Sequence, residues 1–150
     1  FQGLVLFTEV CARLNLPLEL IAFNHDVQQI KVWDQAVDEH LRKRLTSLLQ
    51  IVEGSTDLSV ALNFYRHRAE LLTFKDRFLV TLSDGEPNEE NKVFQELKVL
   101  DRQGVHCIGV GIGPDTERLR RFFKDGVYEV TPLQVARQLG TILDRLLRSK

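Results

Sequence analysis

Several features are scarce or missing in this chain, and each absence narrows what it can be. No apolar run approaches the roughly 18 residues needed to span a membrane, and no basic start followed by an apolar stretch is visible. There is no excess of one charge: 20 Lys and Arg stand against 21 Asp and Glu, for a formal charge of −1, which argues against a general nucleic-acid or membrane-surface role. Only two cysteines occur, Cys11 and Cys107, far apart and without CxxC spacing, so they form neither a metal nor a redox motif. Both lie in apolar patterns and are expected to be buried reduced thiols of a reducing compartment. Sequence alone leaves a disulfide between them open. Low-complexity tracts, internal repeats and linkers are absent too.

What remains is an ordinary globular chain of 150 residues, 43% apolar, the length of one domain and enough to bury a core without staples. Phe1-Gln2-Gly3 looks like the remnant of a protease-cleavage tag and is set aside. On that expectation the natural sequence begins near Leu4, inside an element, and residues 4–150 are part of something longer.

Periodicity predicts the elements. Helical spacing covers Leu4 to Asn15, ended by Leu16-Pro17. Leu18 to Phe23 reads as a strand, Asn24-His25-Asp26 as a turn, and Val27 to Trp33 as an antiparallel partner at an edge. Asp34 to Ile51 is a predicted helix with Asp34 as N-cap and Leu41, Leu45, Leu48 and Leu49 as its stripe. A second helix, Asp57 to Leu72, turns Leu58, Ala61, Leu62, Tyr65 and Ala69 inward. A strand follows at Phe78 to Leu82, a helix at Glu89 to Gln103 with Gly104 as its left-handed cap, and a strand at Val105 to Ile112. The chain closes with a short helix (Asp115 to Lys124), a short strand (Val127 to Val130), and a helix from Pro132 to Leu147 capped by Thr131. Strand and helix alternate, which implies an α/β fold with a largely parallel sheet covered on both faces.

Two polar clusters interrupt this pattern. Phe78-Leu-Val-Thr-Leu-Ser83-Asp84-Gly85-Glu86-Pro87-Asn88 is a β-prone run that stops at Ser-Asp-Gly. It places the Asp84 carboxylate at the carboxyl end of a buried strand, where ligands bind in open α/β sheets. Gly54-Ser55-Thr56-Asp57 lies between two predicted helices. A hydroxyl and a carboxylate brought together suit a hard divalent cation. The bland reading of each is a turn, with Asp57 capping the helix that follows.

Together, Gly54-Ser55-Thr56-Asp57, Leu79-Val80-Thr81-Leu82-Ser83-Asp84-Gly85 and Val105-His-Cys-Ile-Gly-Val-Gly-Ile-Gly113 resemble, in order and separation, a von Willebrand factor type A (VWA) domain. The resemblance runs over Leu4 to Leu147. It implies a three-layer Rossmann-like, mostly parallel sheet with one antiparallel edge strand. It also implies a metal-ion-dependent adhesion site (MIDAS), in which Thr56 and Asp84 would hold Mg2+ or Mn2+, supported by Gly54, Ser55, Asp57, Ser83 and Gly85. An acidic residue of a protein partner would then be a further ligand. The sequence departs from the family in lacking an Asp-x-Ser-x-Ser motif. The first central strand and three polar ligands are therefore expected to be missing, and the chain to be metal-free or weakly metal-binding. Strand edges left open by that gap are expected to favour self-association.

The other motifs carry less. Gly109-x-Gly111-x-Gly113 lacks the spacing of a dinucleotide loop and is better explained by close packing. His25, His40, His67 and His106 are scattered. The runs Arg42-Lys43-Arg44 and Arg118-Leu-Arg120-Arg121 read as solvated helix faces. Ser55 and Ser83 lack a histidine in a nucleophile arrangement. The expected function is a non-enzymatic, cytoplasmic protein-interaction module. The Leu16-Pro-Leu-Glu-Leu-Ile-Ala-Phe-Asn24 segment resembles the cobalt-chelatase subunit and nitric-oxide-reductase activation groups, which implies an AAA+ ATPase partner. The alternatives are a nucleotide-dependent α/β enzyme domain and a metal-independent structural scaffold.

Overall fold

The computed structural model describes residues 2–23, 26–47, 57–70 and 73–148. The chain divides into two compact units. The first contains α1 (Gln2–Arg13), most of the hairpin of β1 (Leu20–Phe23) and β2 (Val27–Lys31), α2 (Glu39–Ser47), and a C-terminal 3-10 turn (Pro132–Gln134) leading into α5 (Val135–Arg148). The second contains α3 (Leu58–Ala69), β3 (Arg77–Ser83), α4 (Glu90–Arg102), β4 (Val105–Ile112), a 3-10 helix (Thr116–Arg121) and β5 (Asp125–Val130). The expected α/β class is the one observed. Its described strands form a parallel three-stranded sheet, β3-β4-β5, and a separate antiparallel pair, β1-β2.

In the first unit, α1 already includes Gln2 and Gly3. It buries Thr8 and Cys11, three residues apart on one side. Its end follows from Asn15, which takes a left-handed φ of 54°, while Leu16 N–H returns to the Cys11 carbonyl at 2.9 Å. Pro17 then prevents continuation. Ile30, Leu41 and Leu45 form the core here, with Val5, Leu20, Ala22 and Val37 packed around them.

Two expectations need correction in this unit. The N-cap of α2 is Asp38 rather than Asp34: Leu41 N–H donates to Asp38 Oδ1 at 2.8 Å. The preceding residues are occupied by a turn, in which Gln35 N–H reaches the Val32 carbonyl and Val32 N–H reaches Gln35 Oε1. Residues 48–51 of the predicted helix lie outside the described residues. Arg44 does not extend a solvated face, because its guanidinium donates to the Ile30 and Gln29 carbonyls of β2 at 3.2 and 3.3 Å.

Lys31 is 4% exposed and donates to the carbonyls of Leu18 and Val32 at 2.9 and 3.0 Å. Burial pulls its pKa below the usual lysine value, against the opposing charges of Asp34, Cys11 and Glu19. Glu9 and Arg42 join α1 to α2 at 2.7 Å. α1 also packs on α5; of the stripe expected there, Val135, Leu139, Ile142, Leu143 and Leu146, the first three are buried and Leu143 and Leu146 are half-buried. Gln134 Oε1 accepts from Thr131 N–H at 3.1 Å, half of a capping box.

In the second unit, β3 and β4 pair in parallel without interruption from Arg77↔Val105 to Ser83↔Gly111. β4 and β5 are also parallel, with an irregularity between Val110 and Ile112. All five residues expected to face inward on α3 are buried. Gly104 ends α4 at a φ of 79°, as a left-handed cap should. The predicted helix after β4 is a 3-10 helix. Its start is fixed by buried Thr116, whose hydroxyl donates to the Gly113 carbonyl at 3.0 Å and accepts from Glu129 N–H at 2.8 Å.

The glycines of β4 are packing residues. A Cβ on Gly109 would lie 2.6 Å from the Phe123 ring, and one on Gly111 would lie 2.5 Å from Thr116 Cβ. Gly85 has open space around its Cβ position. Gly109→Ala should therefore destabilise the fold by about 1–3 kcal/mol through overpacking. Gly85→Ala should stay within about 0.5 kcal/mol. Urea unfolding of the two variants checks the contrast.

Candidate functional site

The site builds on the direction of two helices. Asn63 Nδ2 and Arg66 Nε of α3 reach Glu96 of α4 at 3.0 and 2.6 Å. Further along, Gln103 Nε2 beyond α4 donates to Glu70 Oε1 beyond α3 at 3.2 Å. At the other end, Lys92 feels the charge of Asp57. Starts face starts and ends face ends, so α3 and α4 run side by side in the same direction. β3 leads into α4 through residues 84–89. The start of α3 at Asp57 and the Asp84 loop thus share one end of this unit, the carboxyl end of β3.

At that end, Ser83 is buried, and its hydroxyl donates to the Gly85 carbonyl at 2.9 Å. This short loop turns the chain so that Asp84 is exposed. Asp57 occupies the N-cap position of α3 but makes no side-chain cap bond; Ser59 Oγ donates to its Oδ1 at 3.4 Å. Gly54, Ser55 and Thr56 lie outside the described residues. Of the seven residues singled out in the sequence, Asp57, Ser83, Asp84 and Gly85 are thus placed at this end.

Sequence reasoning missed the ion pairs that hold the loop. Glu86 lies 3.6 Å from Arg118 and 3.8 Å from Arg121, and Arg121 also pairs with Glu90. Arg118 and Arg121 are three apart on a 3-10 helix, which has three residues per turn, so they form one row. Their reading as a solvated face holds, since both side chains are exposed, and these ion pairs are added to it. The available signal was charge: the acidic run Asp84-x-Glu86…Glu90 had a basic run to match. Beside them, Lys92 pairs with Glu89 at 2.5 Å. That hydrogen bond, with the Glu89 charge, raises its pKa.

The described donors do not by themselves fit Mg2+ or Mn2+. Asp84 offers one carboxylate, Ser83 is committed to Gly85, and Glu86 and Glu90 are paired with arginines. Among the described residues no group of three or more His, Cys, Asp or Glu is placed to hold a metal. Magnesium demands near-octahedral oxygen coordination. His106 is engaged instead with Asp125 at 2.9 Å, at the opposite end of the sheet.

No family model matches this chain, and a search of curated proteins finds no match. Solved structures do match. Proximal thread matrix protein 1 of the mussel byssus superposes with a TM-score of 0.75 at 16% identity, over 95% of this chain and 41% of that one. Manganese-loaded TRAP protein of Plasmodium vivax gives 0.61 at 17% identity, over 80% of this chain and 55% of that one. An aerotolerance-related membrane protein of Bacteroides fragilis gives 0.65 at 14% identity, over 98% and 87%. This chain thus spans about half the length, or less, of the mussel and Plasmodium proteins. These similarities define the class: the fold is VWA-like, a Rossmann-like α/β arrangement. Among the described residues no helix is long and apolar enough to cross a membrane.

Both cysteines are free thiols, Cys11 buried and Cys107 half-buried. Burial, with the Asp101 charge adding to it, pushes the Cys107 thiol up to about 12 from an ordinary 9.0. A pKa raised by folding gives stability that is full below the unfolded value and is lost as pH rises through the folded one. The stability difference between the native chain and Cys107→Ala should be flat below pH 9 and shrink between pH 9 and about 12. Thermal melts of both proteins across that range measure it.

Proposed function

We propose that this chain is a non-enzymatic protein-interaction module that uses the carboxyl end of β3 as its binding edge. The observation that carries this reading is the common direction of α3 and α4, which gathers Asp57 and the Asp84 loop at one end of a VWA-like sheet. Ligands of open α/β sheets bind at that end. The loop is pre-set there: Ser83 closes its turn, and Arg118 and Arg121 tether Glu86 and Glu90. An exposed carboxylate on a tethered loop costs little ordering on binding.

Mg2+ or Mn2+ belongs to this reading as a cofactor, with Thr56 and Asp84 as two of its ligands. The ion needs oxygen donors beyond those two, so the chain alone binds it weakly. One of the structural matches, the Plasmodium protein, was crystallised in a manganese-loaded form. At finer grain, the segment from Leu16 to Asn24 supports a cytoplasmic role beside an AAA+ ATPase, in a metal-chelatase or enzyme-activation complex.

Calorimetric titration with MnCl2 should show no site tighter than on the order of millimolar in this chain. A micromolar site would show that the ion pocket is complete. In cross-linking and pull-down from the native host, Asp84→Ala should reduce partner capture by at least about tenfold, since loss of a ligand should cost no less than loss of an outer-shell partner. Capture unchanged both by that substitution and by chelator would leave a structural scaffold in its place.

A further inference from the structure

The 3-10 helix of the second unit carries three arginines, and they are held to different degrees. Arg120 is closed off: its Nε donates to Glu117 at 2.5 Å, and its guanidinium lies over the Tyr128 ring, 4.9 Å from the centroid. Arg121 is steadied but open. It pairs with Glu90 and lies over the Phe122 ring at 4.8 Å, yet its side chain is 46% exposed. Arg118 is the least committed. Its side chain is 70% exposed, and the carboxylate it faces, Glu86, is 3.6 Å away, beyond hydrogen-bond distance. Among the described residues Arg118 makes no hydrogen bond, although a guanidinium has donors for a bidentate pair.

Glu86 faces both Arg118 and Arg121, at 3.6 and 3.8 Å. Exposed ion pairs of this kind contribute little, so its side chain can leave at small cost. The loop does not leave with it. The Ser83 turn, buried Pro87 and the Arg121–Glu90 pair hold the backbone on either side. What the arginine row already faces are carboxylates, the group a planar guanidinium fork fits best.

We propose that Arg118 and Arg121 form a reading row beside the Asp84 loop for an acidic segment of the partner protein, and that Glu86 occupies this row in the free chain as an internal stand-in. The spacing names the segment. Residues three apart on a 3-10 helix are separated by about 6 Å along its axis. Alternate residues of an extended chain project to one side about 6.6–6.8 Å apart. An extended partner segment of the form acidic-x-acidic therefore sets one carboxylate on each guanidinium. Arg118 then determines specificity, since its donors are the ones not yet used. This inference rests on the proposed function in taking this end of the second unit as the binding edge. It asks nothing of a divalent cation.

Fluorescence anisotropy tests it, with a labelled peptide of alternating glutamate and valine titrated with the full chain in EDTA at low ionic strength. The native chain should bind this peptide and not its glutamine counterpart. Glu86→Gln should tighten binding about twofold to fivefold, by removing an exposed competitor. Arg118→Ala should weaken it about tenfold, the scale of a hydrogen bond to a charged group, with the melting temperature unchanged. Arg118→Lys should fall between the two, because it keeps the charge and loses the fork. Any of four results would overturn the proposal: no binding to either the native or the Glu86→Gln chain, equal binding to Arg118→Ala, equal binding of the glutamine peptide, or displacement by an equal concentration of inorganic phosphate, which would make the row a phosphate site. Pull-down from the native host separates the two readings. Capture lowered by Asp84→Ala but untouched by Arg118→Ala overturns the row and keeps the edge. Peptide binding as expected, with capture lowered by Arg118→Ala and untouched by Asp84→Ala, keeps the row and removes Asp84 from the edge.

Discussion

The uninterrupted parallel ladder between β3 and β4 is the constraint from which the rest of this structure follows. Parallel neighbours cannot be joined by a tight turn, so the chain must cross back over the sheet, and α4 is that crossover. Every parallel strand then ends on the same side, and every crossover helix begins there. The Asp84 loop is therefore at the carboxyl end of the sheet because of how β3 and β4 pair, not because of any property of aspartate. α3 is bound to the same direction by its contacts with Glu96, which carry Asp57 to that end.

Close packing and exposure divide the work at β4. Gly109 and Gly111 let Phe123 and Thr116 approach the strand directly, which draws the 3-10 helix down onto the sheet. That helix in turn holds Arg118 and Arg121 within reach of Glu86 and Glu90. Individual exposed ion pairs contribute little to stability. Here four charges are joined across a loop, and their effect is on where the loop sits. The exposed Asp84 carboxylate is thereby presented by a frame made of a buried serine turn on one side and an arginine row on the other.

Polar burial in the first unit follows a different logic. Lys31 occupies a strand position that simple alternation assigns to solvent. It is accommodated because two backbone carbonyls accept from its ammonium group, which offsets much of the desolvation that otherwise opposes a buried charge. Arg44 does the same for the free carbonyls of β2. A basic run on α2 thus becomes, in part, the satisfaction of an edge strand.

Much of this was legible in the chain itself. The stripes of α3 and α5, the glycine cap at Gly104, the stop at Asn15-Leu16-Pro17, the full extent of β4 and the α/β class all follow from periodicity and local backbone preference, which act over a few neighbouring residues. Tertiary structure alone decided the rest. It moved the α2 cap from Asp34 to Asp38, tightened the helix after β4 to 3-10 geometry around Thr116, turned Arg44 to the carbonyls of β2, and set the exposed Arg118 and Arg121 beside the carboxylates of Glu86 and Glu90. Each of these depends on groups far apart in sequence meeting in space. The energy of such a meeting is set by distance and burial, which no local pattern encodes.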